Sequence, residues 1–230
     1  GEGEEFEKGT IKRLSLSSEG KLELAPLLKE IFDSSSPYLW AVARDSKGTL
    51  FAGGGGAGGA KTKLYVVPKG GAGKTLAELD GMDIYAIAID KQDRVYAATS
   101  PDGKVYRVSS DGKAEVFYNP GAKYIWAMAF APSGDLFIAT GDKGEIHRVS
   151  PAGKGSVFFN TEETHARSMA IDARGNLIVG TEPGGLILRV TPAAEGFVLY
   201  QAAKREVTAV AVAAWLMPRS LRGVSAGCMM

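Results

Sequence analysis

The residues with the richest chemistry stand at two positions of a phrase that recurs along the chain. Five residues before a recurring alanine, the sequence carries Tyr38, Asp83, Tyr124, His165 and Glu206. Three residues before the same alanine, it carries Trp40, Tyr85, Trp126, Arg167 and Thr208. Aromatic and Arg side chains supply large contact areas and dominate binding hot spots. These two positions therefore predict a binding surface, provided that the fold brings the copies together.

Two interpretations of these positions stay open. Alternation along a strand places both positions on one face, at the mouth of a central channel if the strands surround an axis. The residues vary in charge while staying large, which favours a ligand-binding rim over a core. That rim comprises Tyr38, Trp40, Asp83, Tyr85, Tyr124, Trp126, His165, Arg167 and Glu206. The alternative is that the aromatic rings plug the channel or pack between neighbouring units.

The two positions belong to a repeat of the whole chain. The phrase Trp40-Ala-Val-Ala-Arg-Asp45 returns in related forms, whose second alanines are Ala43, Ala88, Ala129, Ala170 and Ala211. The steps between these alanines are 45, 41, 41 and 41 residues. We interpret the glycine run Gly53 to Gly59 as a flexible hairpin insertion that lengthens the first step. A fixed period of this length indicates a repeat architecture.

Each repeat predicts four short strands. A turn residue follows five positions after each of the first four alanines, at Gly48, Asp93, Gly134 and Gly175. Short β-branched and aromatic runs then alternate with Gly, Asp and Pro turns, which is the hairpin signal. Small residues on the first strand and large residues on the fourth suit a wedge that narrows towards an axis. The sequence predicts an all-β fold, a β-propeller of four-stranded antiparallel blades of about 41 residues, with four complete blades and partial blades at both ends.

The ends of the array are less regular than its middle. Residues Thr10 to Ser15 resemble a third strand and residues Leu28 to Phe32 a fourth strand. At the other end, Val207 to Val212 reads as a first strand with no second strand after it. Either the two half-blades close a five-bladed ring, or the chain is a fragment of a propeller with six or more blades. The missing second strand favours the fragment.

The repeat also predicts the domain organisation. We expect a frayed acidic N-terminus over residues 1–9, a propeller domain over residues 10–213 and an irregular tail over residues 214–230.

Other motifs are weaker as chemical signals. The segment Gly70 to Thr75 resembles a phosphate-binding loop, but Pro68 stands where that motif needs a glycine. We interpret the segment as a turn. His147 occupies a strand position held by Tyr106 and Leu188 in neighbouring repeats, which indicates a structural histidine.

Composition limits the partners. The chain has 230 residues with 27 Lys and Arg against 26 Asp and Glu, which gives no drive towards nucleic acid or anionic lipid. The single cysteine, Cys228, forms no internal disulfide, and no Cys/His pattern indicates a metal site. No apolar run reaches the length of a membrane span. We expect an unknown protein, peptide or small-molecule ligand, no nucleic acid, no cofactor, no metal, and a monomer if the ring closes.

A family resemblance rests on the turn between the first two strands. The segment Ala88-Ile-Asp-Lys-Gln-Asp-Arg-Val-Tyr-Ala-Ala-Thr99 and its copies resemble the NHL, gluconolactonase-like and WD-repeat-like bacterial propellers. The resemblance implies the fold rather than an activity, because propellers host many unrelated functions. We expect a non-catalytic binding or scaffold protein that is not an enzyme. The alternative is a metal-dependent hydrolase or lactonase of the gluconolactonase-like type, for which Asp83, His165 and Glu206 are a sparse set of ligands.

Overall fold

The chain folds into two compact units, Gly1–Asp33 and Ser34–Met230. The structure, a computed structural model, describes residues 14–16, 18–25 and 29–212. The described part of the first unit contains strands β1 (Leu14–Leu16) and β2 (Leu22–Leu24), which pair as an antiparallel hairpin.

One expectation for this N-terminal region is wrong. The sequence predicted a strand over Leu28 to Phe32, but residues 26–28 lie outside the described part and residues 29–32 form no strand. The partner of β1 is instead β2, because Gly20 adopts a positive φ of 78° and lets the chain turn back earlier. The predicted boundaries of the propeller domain, at residues 9–10 and 213–214, also fall outside the described residues.

The second unit contains four repeat groups, each of four consecutive strands. The first strands are β3 (Tyr38–Arg44), β7 (Asp83–Ile89), β11 (Tyr124–Phe130) and β15 (His165–Ile171). The second strands are β4 (Leu50–Gly55), β8 (Val95–Ser100), β12 (Leu136–Gly141) and β16 (Leu177–Glu182). The third strands are β5 (Lys61–Val67), β9 (Lys104–Val108), β13 (Glu145–Val149) and β17 (Leu186–Val190). The fourth strands are β6 (Lys74–Asp80), β10 (Ala114–Tyr118), β14 (Gly155–Asn160) and β18 (Gly196–Gln201).

Strand pairing is antiparallel between neighbours in the chain. The first two groups form separate four-stranded sheets, and the last two groups share an eight-stranded sheet. A single residue pair, Gly141 with His165, joins those last two groups. The first strands of successive groups contact one another, so residues at the same repeat position come close in space.

The turns after the first strands follow from their residues. Gly48, Asp93, Gly134 and Gly175 all have positive φ angles, as a tight turn at these positions requires. The Oδ1 atoms of Asp45, Asp90 and Asp172 each accept hydrogen bonds from two backbone N–H groups of the turn that follows. This local bonding explains the recurring Asp of the sequence phrase.

The glycine run is only partly a hairpin insertion. Residues Gly53 to Gly55 end strand β4 and are buried, whereas residues 56–60 form the exposed hairpin. A Cβ at Gly53 would lie 2.6 Å from Cγ2 of Ile84. The sheets therefore pack too closely here for a larger residue, which sequence reasoning interpreted as flexibility.

The core lies between successive sheets. Leu64 and Leu79 of the first group pack with Ile84 and Val95 of the second, and similar apolar layers separate the later groups. The described residues form strands, turns and irregular segments but no helix. In the described part of the chain, accordingly, no helix has the length and apolar character needed to cross a membrane.

The C-terminal segment departs from the expected strand. The sequence predicted a strand over Val207 to Val212, but these residues form none. The backbone N–H of Val207 donates to the carbonyl of Thr181 at 3.1 Å, and Val207 is buried against Ile178 and Ile187, with Val210 packed against the same cluster. In the described part of the chain, no following strand pairs with this segment, so it lacks the neighbour that would complete a sheet.

The buried histidine of the third group predicts a pH dependence of stability. Burial lowers the pKa of His147, although hydrogen bonding and attraction from Glu145 oppose the shift. The folded protein therefore keeps the ring neutral, and the unfolded chain binds the proton first as the pH falls below about 6.5. We expect the free energy of unfolding, measured with urea, to be highest above this pH and to decrease as the pH falls towards the lowered pKa.

The control for this prediction comes from the next repeat. His147 Nδ1 lies 2.9 Å from the hydroxyl of Tyr118, whereas the next group has Leu188 and Phe159 at the same two positions, in one apolar cluster. The double variant His147→Leu/Tyr118→Phe reproduces that pair and is expected to flatten the pH dependence. An unchanged slope in the double variant would assign the effect to other groups.

Candidate functional site

The predicted rim residues lie at the N-terminal ends of the four first strands. In every group the strand pairing shifts by one residue at the same point, so that Trp40, Tyr85, Trp126 and Arg167 stand opposite no partner. Such β-bulges bend a strand and re-aim a side chain, and they are common beside active sites. The bulge turns one large side chain per group out of the regular ladder and towards the neighbouring group.

Donors at the bulge position pair with acceptors of the next group. Trp40 Nε1 donates to Asp83 Oδ1 at 2.9 Å, and Trp126 Nε1 donates to His165 Nδ1 at 3.2 Å. Arg167 Nε donates to Glu206 Oε1, in the segment after the fourth group, at 2.6 Å. Three of the four bulge residues thus donate to the residue that stands five positions before the next recurring alanine.

The Asp83 carboxylate accepts two hydrogen bonds besides the one from Trp40. Its Oδ1 also accepts the backbone N–H of Gly56 at 3.0 Å, and its Oδ2 accepts the hydroxyl of Tyr85 at 3.2 Å. Burial, followed by the charge and the hydrogen bond of Asp83, raises the pKa of Tyr85. Tyr85 is therefore a hydrogen-bond donor rather than a phenolate base.

His165 receives the same pair of donors as Asp83. Besides the indole of Trp126, the backbone N–H of Asp142 donates to Nδ1 at 3.3 Å. Asp142 follows strand β12 at the position that Gly56 holds after β4, and both have positive φ angles. The fold thus presents one indole N–H and one backbone N–H to this repeat position in two different groups.

Arg167 carries the positive charge of this surface. Its guanidinium carbon lies 3.9 Å from the centroid of the Trp126 ring, and its Nε lies 3.7 Å from Glu182 Oε2. Arg167 also pairs with Glu206, so it contacts two carboxylates. The guanidinium lies over the indole at the distance of a cation–π contact.

Five aromatic rings form one continuous column across the groups, here called the aromatic column: Tyr38, Trp40, Tyr85, Tyr124 and Trp126. Centroid distances are 4.9 Å from Tyr38 to Trp40, 5.4 Å from Trp40 to Tyr85 and 4.8 Å from Tyr85 to Trp126. Tyr124 stacks on Trp126 at 5.0 Å. Tyr38 and Trp40 are 54% and 46% exposed, whereas the remaining members are half-buried. The column therefore has an open aromatic end and a charged end at Arg167.

The structure brings all nine predicted rim residues together, and their role in binding a ligand stays a prediction. The rings pack against neighbouring groups, and one end of the column stays open to solvent. Sequence reasoning missed the pairing between groups. The sequence does contain a sign of this pairing. Trp40, Trp126 and Arg167 have side chains that donate hydrogen bonds, and each is followed 39 to 43 residues later by a side chain that can accept one.

The donor set of this surface does not fit a divalent cation. Among residues 14–16, 18–25 and 29–212, no group of three or more His, Cys, Asp and Glu is arranged to hold a metal ion. Asp83 already accepts three hydrogen bonds, and Glu182 and Glu206 both pair with Arg167. These carboxylates stabilise the junctions between groups instead of converging on a common point.

Two glycines make the indole bonds possible. A Cβ at Gly55 would overlap Trp40 Nε1 and Asp83 Oδ1, and Gly141 has the same relation to Trp126 and His165. We expect Gly55→Ala to break the Trp40–Asp83 hydrogen bond and to lower the free energy of unfolding by about 1 kcal/mol. Urea unfolding measures this loss. Gly59→Ala is the matched control, because a Cβ there meets nothing closer than 3.8 Å, and an equal loss in both variants would contradict the assignment.

Comparison with solved structures identifies the class of fold as a β-propeller. The chain resembles virginiamycin B lyase from Staphylococcus aureus, with a TM-score of 0.65, 16% identity, and coverage of 86% of this chain and 66% of that one. It also resembles the calcium-binding protein regucalcin from Agrobacterium tumefaciens, with a TM-score of 0.60, 16% identity, and coverage of 83% and 65%. A third similar structure is a proposed gluconolactonase, with a TM-score of 0.60, 15% identity, and coverage of 87% and 73%.

These likenesses concern the fold. The chain spans about two thirds of the length of the lyase structure. No family model matches the sequence, and a comparison with curated proteins gives no match. The similar structures support the propeller fold that the sequence resemblance implied, whereas the NHL and WD-repeat parts of that resemblance gain no support.

The comparisons overturn the expectation that the protein is not an enzyme. The propellers that it resembles are named for lyase and lactonase activities. Sequence reasoning favoured a non-catalytic protein because it found no catalytic constellation, and because Asp83, His165 and Glu206 are a sparse set of metal ligands for the lactonase alternative.

Proposed function

We propose that this protein is an enzyme of the lactonase or lyase type that opens a cyclic ester bound over the aromatic column. The observation that carries the proposal is the position of His165. Its ring is half-buried against Trp126, with a centroid distance of 5.8 Å, and lies beside Tyr124. A polar catalytic group thus adjoins a planar apolar surface on which a substrate ring can stack.

The similar structures support this choice of chemistry. One of them is a lyase variant in which a histidine is replaced by alanine, described as catalytically inactive and solved with quinupristin. A histidine is therefore essential to that enzyme on this fold. The gluconolactonase-like structure supports the lactone as substrate class.

Two reactions open a cyclic ester, and they differ in their products. Hydrolysis adds water, breaks the acyl C–O bond and gives a carboxylic acid and an alcohol. Elimination breaks the alkyl C–O bond, takes a proton from the neighbouring carbon and gives a carboxylic acid and an alkene. In both reactions negative charge develops on an ester oxygen, and hydrogen-bond donors placed at that oxygen stabilise it.

We also propose that the four repeat groups are blades of a propeller with further blades. Leu39 and Val42 are exposed on the first group, although a preceding sheet covers the corresponding residues of later groups. On the last group, Phe197, Leu199 and Tyr200 of β18 are exposed. Apolar sheet faces of this kind support a continuation of the same stacking at both ends.

An activity assay tests the proposed function. Gluconolactone and quinupristin are offered to the purified protein, with and without a chelator. Proton release measures ring opening, and ultraviolet absorbance of a new alkene separates elimination from hydrolysis. We expect ring opening well above the uncatalysed rate for at least one compound. Failure with both compounds and with further lactones of different ring size would refute the proposal.

Two variants of strand β3 test whether the aromatic column binds the substrate. Trp40→Leu removes an exposed ring of the column, and we expect the KM to rise about tenfold, because a hot-spot contact contributes more than about 1 kcal/mol. Val42→Ala changes an exposed residue that is not part of the column. We expect no change in KM for this control, and equal effects of the two variants would place binding elsewhere.

A further inference from the structure

We infer that His165 is held as the tautomer with its proton on Nε2, and that this Nε2–H donates a hydrogen bond to an oxygen of the bound substrate. The ligand class is a carbonyl or carboxylate oxygen attached to a ring that lies on the aromatic column. The inference rests on the proposed function for the identity of the substrate, but its first part concerns the histidine alone.

Two groups contact Nδ1 of His165, and their chemistry determines which ring nitrogen carries the proton. An indole N–H and a backbone N–H are donors only, so neither Trp126 nor the Asp142 amide can accept a proton from the ring. Nδ1 must therefore present its lone pair to both, at 3.2 and 3.3 Å. The proton of the neutral ring is left on Nε2.

Asp83 stands at the same repeat position as His165 and receives the same two kinds of donor, from the Trp40 indole and the Gly56 amide. An ionised carboxylate accepts hydrogen bonds and donates none. In these two groups the position receives two donors, and His165 accepts both with Nδ1.

The other ring nitrogen of His165 is Nε2. Within the described residues, no hydrogen bond reaches this atom, and the His165 side chain is partly exposed. A donor with no protein partner at a partly exposed surface is available to a ligand. The same orientation argues against His165 as a general base, because a catalytic base holds its Nδ1–H towards an acceptor and its Nε2 lone pair towards the substrate.

Nuclear magnetic resonance of protein labelled with ¹⁵N-histidine tests the tautomer. The chain has two histidines, and the double variant His147→Leu/Tyr118→Phe identifies the signal of His165. At about pH 8, above the ordinary histidine pKa of about 6.5, we expect a pyridine-type shift for Nδ1 and a pyrrole-type shift for Nε2. We expect Trp126→Phe, which keeps a ring but removes one donor, to move both shifts towards a mixture of tautomers. A dominant Nδ1–H form in the unaltered protein would overturn the inference.

Substitution separates the donor role from the structural role. His165→Asp reproduces the acceptor that Asp83 provides but has no donor, and His165→Met, which is neutral and also has no N–H donor, serves as the second variant if the added charge prevents folding. We expect His165→Asp to keep the unfolding midpoint while ring opening of gluconolactone falls by at least about 100-fold, as for removal of one oxyanion donor. Undiminished ring opening in both variants would refute the donor role and leave the proposed function standing. An Nε2–H tautomer in a protein that opens no lactone would refute the proposed function and leave the tautomer standing.

Discussion

Replacing Ile125 by alanine is expected to lower the free energy of unfolding by about 3–5 kcal/mol. Ile125 is 0% exposed and packs in the apolar layer between the second and third groups. Its Cγ1 would lie 3.0 Å from a Cβ at Gly103, so the side chain rests against backbone. A backbone wall cannot collapse into the space left by the missing atoms, which puts the loss in the upper part of the range for Ile→Ala substitutions. Urea unfolding followed by circular dichroism measures the loss.

The matched control is the same repeat position in the first group. Leu39 is 51% exposed, and we expect Leu39→Ala to cost less than about 1 kcal/mol. In the last group this position is Ala166, which is also buried. Alanine itself is therefore compatible with the position, and the cost at Ile125 comes from the cavity. Equal losses for Ile125→Ala and Leu39→Ala would show that another sheet covers Leu39 in solution.

Much of the fold follows from local chemistry in the sequence, and the structure confirms the all-β architecture. The turn residues Gly48 and Asp93 adopt the positive φ that their types permit, and strands begin near Leu50 and Val95 as the apolar runs indicate. These features depend on residues within a few positions of one another. The ends of the array could not be predicted in this way, because a strand at Val207 to Val212 needs a partner from elsewhere in the chain.

The composition of the site was predictable, but its bonding was not. The repeat period identified Trp126 and His165 as members of one surface, since equivalent residues of successive repeats converge. The bulge at Trp126 is invisible in the sequence, because it changes the pairing with β12 and not the residue pattern. The role of Gly141 was equally hidden: its missing Cβ leaves room for the indole to reach His165.

Replacing Trp126 by alanine is expected to lower the free energy of unfolding by about 2–3 kcal/mol. The indole packs against Tyr85, Tyr124 and His165 and lies under the guanidinium of Arg167. Its removal opens a space at the centre of the aromatic column and leaves His165 with one donor in place of two. The side chain is partly exposed, so the loss is expected below the 3–5 kcal/mol of a fully buried tryptophan.

Trp40→Ala is the control, because Trp40 holds the same repeat position and also donates its indole N–H to the next group. It is 46% exposed and lies at the open end of the aromatic column, so we expect a loss of about 1 kcal/mol, mainly from the hydrogen bond. The difference between the two variants measures what packing adds at Trp126. A loss of about 3–5 kcal/mol at both positions would make the aromatic column a core and remove the open end on which the proposed substrate rests. A loss of less than about 1 kcal/mol at both would show that the ring contacts contribute little to stability.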